Sequence, residues 1–486
     1  MTLAHKTTVG ILWKFSELLS RSGIQMIVTL LLARFLLPED FGLLAMMTVF
    51  LAVAAMLMES GFRQALIRMR TVTQKDCNTA FYANLALGSI AYVLLFISAP
   101  FIAHFYNEPR LVLLIRTAGA GVLINAFQLV QSVLLSRELD FKAQLKASLP
   151  AVTISGVVAV VLAYMGAGVW ALIIQILLAA LITTILLWIL QGWRPTLAID
   201  FSSLWRMYNF GYKLFLADLS NTIFLNLYFV VIAKIFTAAI AGYYFFAARI
   251  RDMVLNQLVA SIQVVTYPAL SIMQDDDIRL KSAYRKIVCV TTFLLFPAML
   301  MLAALAEPLF DCLLPPEWHP AVLYLQLLCL AGVLYPLHVI NLNIITVKGR
   351  SGLFLYLEII RKVMFVVILV VSIRFGIFGV LVGQIINSVL AYIPNSYFTN
   401  RLIDYTVCEQ LADFMPGLIL AFLVAMACYS ASHLVEWSPF LKLLVFALSS
   451  CLLYVGLAHL FGLQAYTIAR EVLLSRNSGK EHSCEN

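Results

Sequence analysis

Charge is what this sequence has least of. Asp, Glu, Lys and Arg make up 12% of its 486 residues and hydrophobic residues make up 62%. An ordinary soluble domain carries about 25% charge, so a water-soluble fold is excluded: it cannot hide this much apolar surface. Lys and Arg outnumber Asp and Glu by 33 to 25, yet no basic block exceeds a few residues, which argues against nucleic acid as a partner. The eight cysteines show no CxxC or Cys/His spacing, so neither a disulfide framework nor a metal site follows. A Gly-rich phosphate loop, a Ser/His/Asp set and a paired catalytic carboxylate are also missing, and with them any residue to expect as catalytic. No cofactor is called for. The N-terminus lacks the features of a cleavable signal, because its first apolar stretch already holds Lys14, Glu17 and Arg21.

What is present is apolar length. A bilayer-crossing helix needs about 20 such residues. Runs of that kind lie near 10–35, 41–62, 79–104, 111–134, 149–166, 168–191, 210–235, 240–267, 287–310, 321–346, 353–373, 377–399, 414–434 and 440–462. The chain is therefore expected to be an all-α, polytopic membrane protein of about fourteen transmembrane helices, with no room for a separate soluble domain. The short joints MGAG at 165–168 and FGIFG at 375–379 predict antiparallel hairpins. Basic residues concentrate in the even-numbered links, among them Arg63, Arg137, Lys142, Arg206, Arg279, Lys281, Arg285 and Lys286, and again in the tail at Arg470, Arg476 and Lys480. The positive-inside rule then places both termini in the cytoplasm.

A repeat runs beneath the hydrophobicity. GILWKFSEL at 10–18 aligns with GYKLFLADL at 211–219, matching Gly10 with Gly211 and Glu17 with Asp218. One register step later Ala33-Arg34 matches Ala233-Lys234, and Gly42 matches Gly242. An even number of spans separates the copies, so they cross the membrane in the same direction, a parallel repeat. The expected organisation is a six-helix lobe at 1–206, a second at 207–402, two further helices at 403–465, and a cytoplasmic tail at 466–486.

Several runs carry a resemblance: LLARFLLPEDFGLLAMM at 31–47, SGFRQALIRMRTVTQKDCNTAFYANLALG at 60–88, APFIAHFYNEPRL at 99–111, LLSRELDFKAQL at 134–145, GVWALIIQIL at 168–177, WRPTL at 193–197 and YPALS at 267–271. Together they resemble the polysaccharide transporter (Wzx-type flippase) family of the multidrug/oligosaccharidyl-lipid/polysaccharide exporter superfamily, in its colanic-acid and capsule branch. The resemblance implies a bacterial inner-membrane protein that flips a lipid-linked oligosaccharide, usually built on undecaprenyl diphosphate, for surface polysaccharide synthesis. Implied partners are that lipid, membrane lipids, and the polysaccharide polymerase and glycosyltransferase machinery.

Ionisable side chains at bilayer depth are costly unless they face a cavity or a partner, which makes each a candidate. Lys14, Glu17, Arg21 and Gln25 are spaced three, four and four residues apart, on one helical face. Asp218, Asn221, Thr222 and Asn226 form the corresponding acidic stripe, Arg249 and Asp252 a third, and Glu358, Arg361 and Lys362 a fourth. Expected substrate contacts are Lys14, Arg21, Arg249, Arg361 and Lys362, since a cavity richer in cations favours an anion and guanidinium forks match phosphate oxygens. Glu17 and Asp218 are the candidate carboxylates for coupling to a proton or sodium gradient. Plainer readings stand beside these: Glu17–Arg21 and Glu358–Lys362 as self-neutralising pairs, Lys14 as a snorkelling side chain, Arg249 as a membrane-edge residue, and Asn341, Asn343 and Asn387 as interhelical hydrogen-bonders. Two other functions compete. A drug/cation antiporter of the same superfamily would want an acidic or aromatic cavity. A polysaccharide polymerase or ligase would want a large external loop with catalytic residues, and the longest here, 306–322, has no matched pair.

Overall fold

In the computed structural model, which describes residues 3–468 and residue 470, the regular structure is α-helical, with one 3₁₀ turn at Pro316–Trp318 and no strand among the described residues. The helices are α1 (Leu3–Phe35), α2 (Pro38–Glu59), α3 (Phe62–Arg68), α4 (Gln74–Tyr106), α5 (Leu111–Ala126), α6 (Leu129–Arg137), α7 (Phe141–Tyr164), α8 (Val169–Leu190), α9 (Phe201–Ile235), α10 (Ala238–Ile272), α11 (Asp277–Ala304), α12 (Ala306–Leu313), α13 (Ala321–Gly332), α14 (Tyr335–Val347), α15 (Ser351–Ile373), α16 (Gly376–Ile403), α17 (Val407–Leu434) and α18 (Pro439–Leu460). Residues 471–486, with the expected basic tail positions Arg476 and Lys480, lie outside the described residues.

Every expected span falls on a helix or a broken pair of helices. Among the described residues, eleven stretches are long and apolar enough to cross a membrane, and α5 with α6, bent by 42°, makes a twelfth. The two expected spans outside that set are α10 and α15; in α15, Glu358, Arg361 and Lys362 fall within every 18-residue stretch. Among the described residues, apolar length thus supports eleven or twelve of the fourteen expected spans. Capping side chains mark where helices begin. Thr73, Asp140, Asp200, Asp276 and Thr406 each accept a hydrogen bond from a backbone N–H of the first turn.

The breaks have local causes. At the α5–α6 bend the carbonyls of Ile124 and Phe127 accept from Thr184 Oγ1 (3.2 Å) and Trp188 Nε1 (2.9 Å) of α8, so side chains enter the helical ladder. Between α13 and α14, Pro336 has no N–H to return to the preceding turn. The span expected at 287–310 ends earlier, at Ala304, and residues 306–313 form the separate short helix α12. Trp318, fully buried, lies 4.5 Å from the ring of Phe246 and anchors the segment that follows.

The chain divides into two compact units, Met1–Phe245 and Phe246–Asn486. In the first, α7 and α8 form the hairpin that the MGAG joint predicts, with α1 packed along α7. Gly156 permits that approach: a Cβ there would sit 2.4 Å from Val28 Cγ2. The two hairpins of the sequence repeat also match in position. Helix α1 ends at Phe35 and α2 starts at Pro38, while α9 ends at Ile235 and α10 starts at Ala238. In the second unit α11 packs on α17, and α15 and α16 form the hairpin of the FGIFG joint. Its core holds fully buried Tyr284, Phe296 and Tyr405, with Phe414 5.9 Å from Phe296. Large apolar side chains such as Phe440, Leu452 and Val363 remain exposed on the outer helices, as expected of surfaces that face lipid.

Candidate substrate path

Helix α1 carries the first cationic stripe, and its face against α7 divides that stripe. Glu17 turns inward and is 5% exposed, where Ser148 Oγ of α7 donates to its Oε1 at 3.3 Å. Arg21, four residues on, stays exposed and makes no ion pair among the described residues. The i,i+4 spacing therefore does not become a Glu17–Arg21 bridge. The buried carboxylate accepts from the neighbouring helix, and the guanidinium stays exposed. The side chain of Lys14 lies outside the described residues.

On α9, Asp218 is exposed and makes no hydrogen bond or ion pair among the described residues, whereas Asn226 Nδ2 donates to the carbonyl of Thr222 in its own helix at 2.8 Å. Near the start of α9 lies Asp200, whose carboxyl is held below the usual carboxylate range by the backbone N–H of Ser202 and the hydroxyl of Ser203. In the first unit, then, the structure offers an exposed arginine on α1 and an exposed carboxylate on α9.

In the second unit Arg249 is exposed, and its neighbour Arg251 bridges Asp252 at 2.7 Å. On α15, Glu358 pairs with Arg361 at 2.9 Å, three residues on, with both side chains about a quarter exposed. The structure thus shows the i,i+3 pair where the sequence suggested Glu358 with Lys362. Lys362 is itself half-buried. Arg116, at the margin of the fourth span, lies over the ring of Phe96 at 4.1 Å and donates to its carbonyl.

Two polar systems escape the sequence. In the second unit His338, 5% exposed, accepts at Nδ1 from Asn395 Nδ2 at 2.9 Å, while Tyr284 Oη and Thr399 Oγ1 both donate to Asn341 Oδ1. This joins α11, α14 and α16, and Asn341 acts as the interhelical hydrogen-bonder expected of it. Asn343 Nδ2 and Asn387 Oδ1 are buried without a partner among the described residues. The second system pairs α11 with α17: Lys281 binds Glu409 at 2.9 Å and Arg285 binds Asp413 at 2.6 and 2.7 Å. Each helix presents its two charges at i,i+4, a matching signature that 128 residues of separation conceal.

Known proteins complete the picture. Residues 31–323 match the family model described as polysaccharide biosynthesis protein. The lipopolysaccharide biosynthesis protein WzxC of Escherichia coli (strain K12) is 26% identical over 403 residues, 81% of each chain. The succinoglycan biosynthesis transport protein ExoT of Rhizobium meliloti (strain 1021) is 27% identical over 334 residues, 68% of each. Among solved structures, the lipid II flippase MurJ in an inward closed conformation superposes with a TM-score of 0.72 at 12% identity, covering 93% of this chain and 98% of that one. An inward-facing multidrug resistance MATE transporter of the MOP superfamily gives 0.61 at 19% identity, covering 78% and 95%. At such identities these two likenesses speak for the fold. The family match spans more than half of the sequence, and the chain belongs to the polysaccharide biosynthesis protein family.

Proposed function

We propose that the chain flips a lipid-linked oligosaccharide across the bacterial cytoplasmic membrane for surface polysaccharide synthesis, and that it does so as a transporter rather than as an enzyme. The observation that carries this is Arg21: an exposed guanidinium without an ion-pair partner among the described residues, on a helix of membrane-crossing length. Placing it there is unfavourable unless an anion or water meets it. A diphosphate-linked sugar is the anion that the resemblance to Wzx-type flippases implies. Arg249, Arg361, Lys362 and Lys14 are the further cations proposed along its route, with the polyprenyl tail left in lipid. Alternating access by rocking of the two expected six-helix lobes, 1–206 and 207–402, suits a parallel repeat. Both termini are placed in the cytoplasm by the distribution of Lys and Arg.

The test is to delete the gene and identify the lipid-linked repeating unit that accumulates on the cytoplasmic leaflet, then complement with variants. Arg21→Ala should lower surface polysaccharide about tenfold at normal membrane abundance, the loss of one charge-assisted phosphate contact. Arg21→Lys should restore part of it, because an ammonium keeps the charge and loses the fork. Arg361→Ala should act in the same direction, although it also strips Glu358 of its partner. Abundance falling in step with polysaccharide would instead make these arginines structural.

A further inference from the structure

At the end of the second unit where α11 begins, a cavity of about 300 Å³ opens between α11, α17 and the segment after α18. Residues 278, 281, 282, 285, 286 and 289 recur every three or four positions, so a single face of α11 forms one wall. The opposing side supplies Asp413, Gln464 and Ile468.

The hydrogen bonds of these groups divide them into spent and unspent. Lys281 uses its ammonium on both oxygens of Glu409 and on the carbonyl of Asp404, at 2.6 to 3.0 Å. Asp413 accepts at Oδ1 from Arg285 Nη2 and at Oδ2 from Arg285 Nε and Tyr405 Oη, at 2.6 to 2.7 Å. Both carboxylates are therefore taken. Arg285 is held rigidly along one edge, and its other amino group, Nη1, is not used on Asp413. Lys286, the hydroxyl of Ser282 and the amide of Gln464 make no hydrogen bond or ion pair among the described residues. Three cations against two carboxylates leave one positive charge. Two ammonium or guanidinium donors with a hydroxyl and an amide form a donor set suited to phosphate oxygens.

The apolar part of the lining names the source of that phosphate. Ile278 is 85% exposed one residue into α11, and Ile468 faces the same cavity. A bare isoleucine, Ile278, beside Lys and Arg at the end of a membrane-length helix suits the boundary between headgroups and acyl chains. We infer that this cavity binds the phosphate-bearing headgroup of an anionic membrane lipid, through Arg285, Lys286, Ser282 and Gln464. Such a lipid would brace α11 against α17 and the C-terminal segment.

The full-length protein is placed in nanodiscs of phosphatidylcholine with and without phosphatidylglycerol, and co-purifying lipid is measured by native mass spectrometry, with inorganic phosphate as competitor. Phosphatidylglycerol should be retained selectively, Lys286→Ala should weaken its retention about tenfold, and millimolar phosphate should not displace it. Arg279→Ala removes the same charge from the same end of α11, 80% exposed and outside the lining, and should retain the lipid. Ser282→Ala gives a second measure should Lys286→Ala disturb folding. Unchanged retention in Lys286→Ala and Ser282→Ala, or equal loss in Arg279→Ala, overturns the site. Displacement by inorganic phosphate alone overturns the lipid and assigns the cavity to a soluble phosphate.

Discussion

Asp218 and Glu17 occupy matching places in the repeat, and their surroundings separate their roles. Glu17 is buried at the α1–α7 contact and accepts from Ser148. Asp218 is exposed and without a hydrogen-bond partner among the described residues. A carboxylate that exchanges a proton or a sodium ion needs access and freedom from a fixed partner, which favours Asp218. In reconstituted vesicles with an imposed pH or sodium gradient, Asp218→Asn should reduce flipping to the rate seen without a gradient. Glu17→Gln should keep its gradient response, since the amide oxygen still accepts from Ser148. If the parent ignores the gradient, coupling is absent. If Asp218→Asn responds as the parent does, this carboxylate only offers a hydrogen-bond acceptor to the path.

Between elements, glycine sets how closely helices approach. The repeat partners Gly42 and Gly242 face each other within the first unit. A Cβ on Gly42 would lie 1.9 Å from the carbonyl oxygen of Ala238, and one on Gly242 would lie 1.8 Å from that of Pro38. No side-chain rotation relieves a clash between a Cβ and backbone, so Gly42→Ala must push the start of α2 away from the start of α10. The expected cost is about 1–3 kcal/mol, the range for overpacking, read as a lower melting temperature of the detergent-solubilised protein. Gly23→Ala, in the same repeat half, meets nothing within 4 Å. It should leave the melting temperature unchanged or raise it slightly, because alanine favours the helix. Equal melting temperatures for the parent and Gly42→Ala would mean that the hairpins are not held at this distance. Arg137 ties another joint: its guanidinium donates to the carbonyls of Leu66, Ile67, Met69 and Arg70, which closes the C-terminal end of α3.

For the whole molecule, orientation is the property to measure. With the endogenous cysteines replaced, a cysteine at exposed His319 should react with an impermeant maleimide added to intact cells, and one at exposed Lys142 should react only after permeabilisation. Trp318 is unsuited to labelling because it is fully buried. A position 319 shielded in intact cells would invert the topology and move the termini outside. The same scale shows how much was legible beforehand. The starts and ends of α2, α8, α15 and α18 lie within a few residues of the apolar runs, and the α1–α2 and α9–α10 hairpins keep the spacing of the repeat. The bend in α5–α6, the separate helix α12 and the pairs Lys281–Glu409 and Arg285–Asp413 were not legible. Each depends on a neighbour distant in the chain.

By itself the sequence determined that this is a helical membrane protein, and it located the charges that such a protein tolerates only for a reason. It can do so because crossing a bilayer is a property of local length and composition, since every backbone polar group must be satisfied within its own helix. Only the tertiary structure decided what each charge does. Glu17 goes to Ser148 and leaves Arg21 exposed, Arg361 rather than Lys362 pairs with Glu358, and α11 meets α17 through two ion pairs with the polar cavity beside them. A side chain at bilayer depth takes whichever partner packing brings within about 3 Å, and i,i+4 spacing supplies a candidate without selecting it. Which helix faces meet is settled by the steric fit of glycines, prolines and rings across the whole bundle, information that no local window of sequence contains.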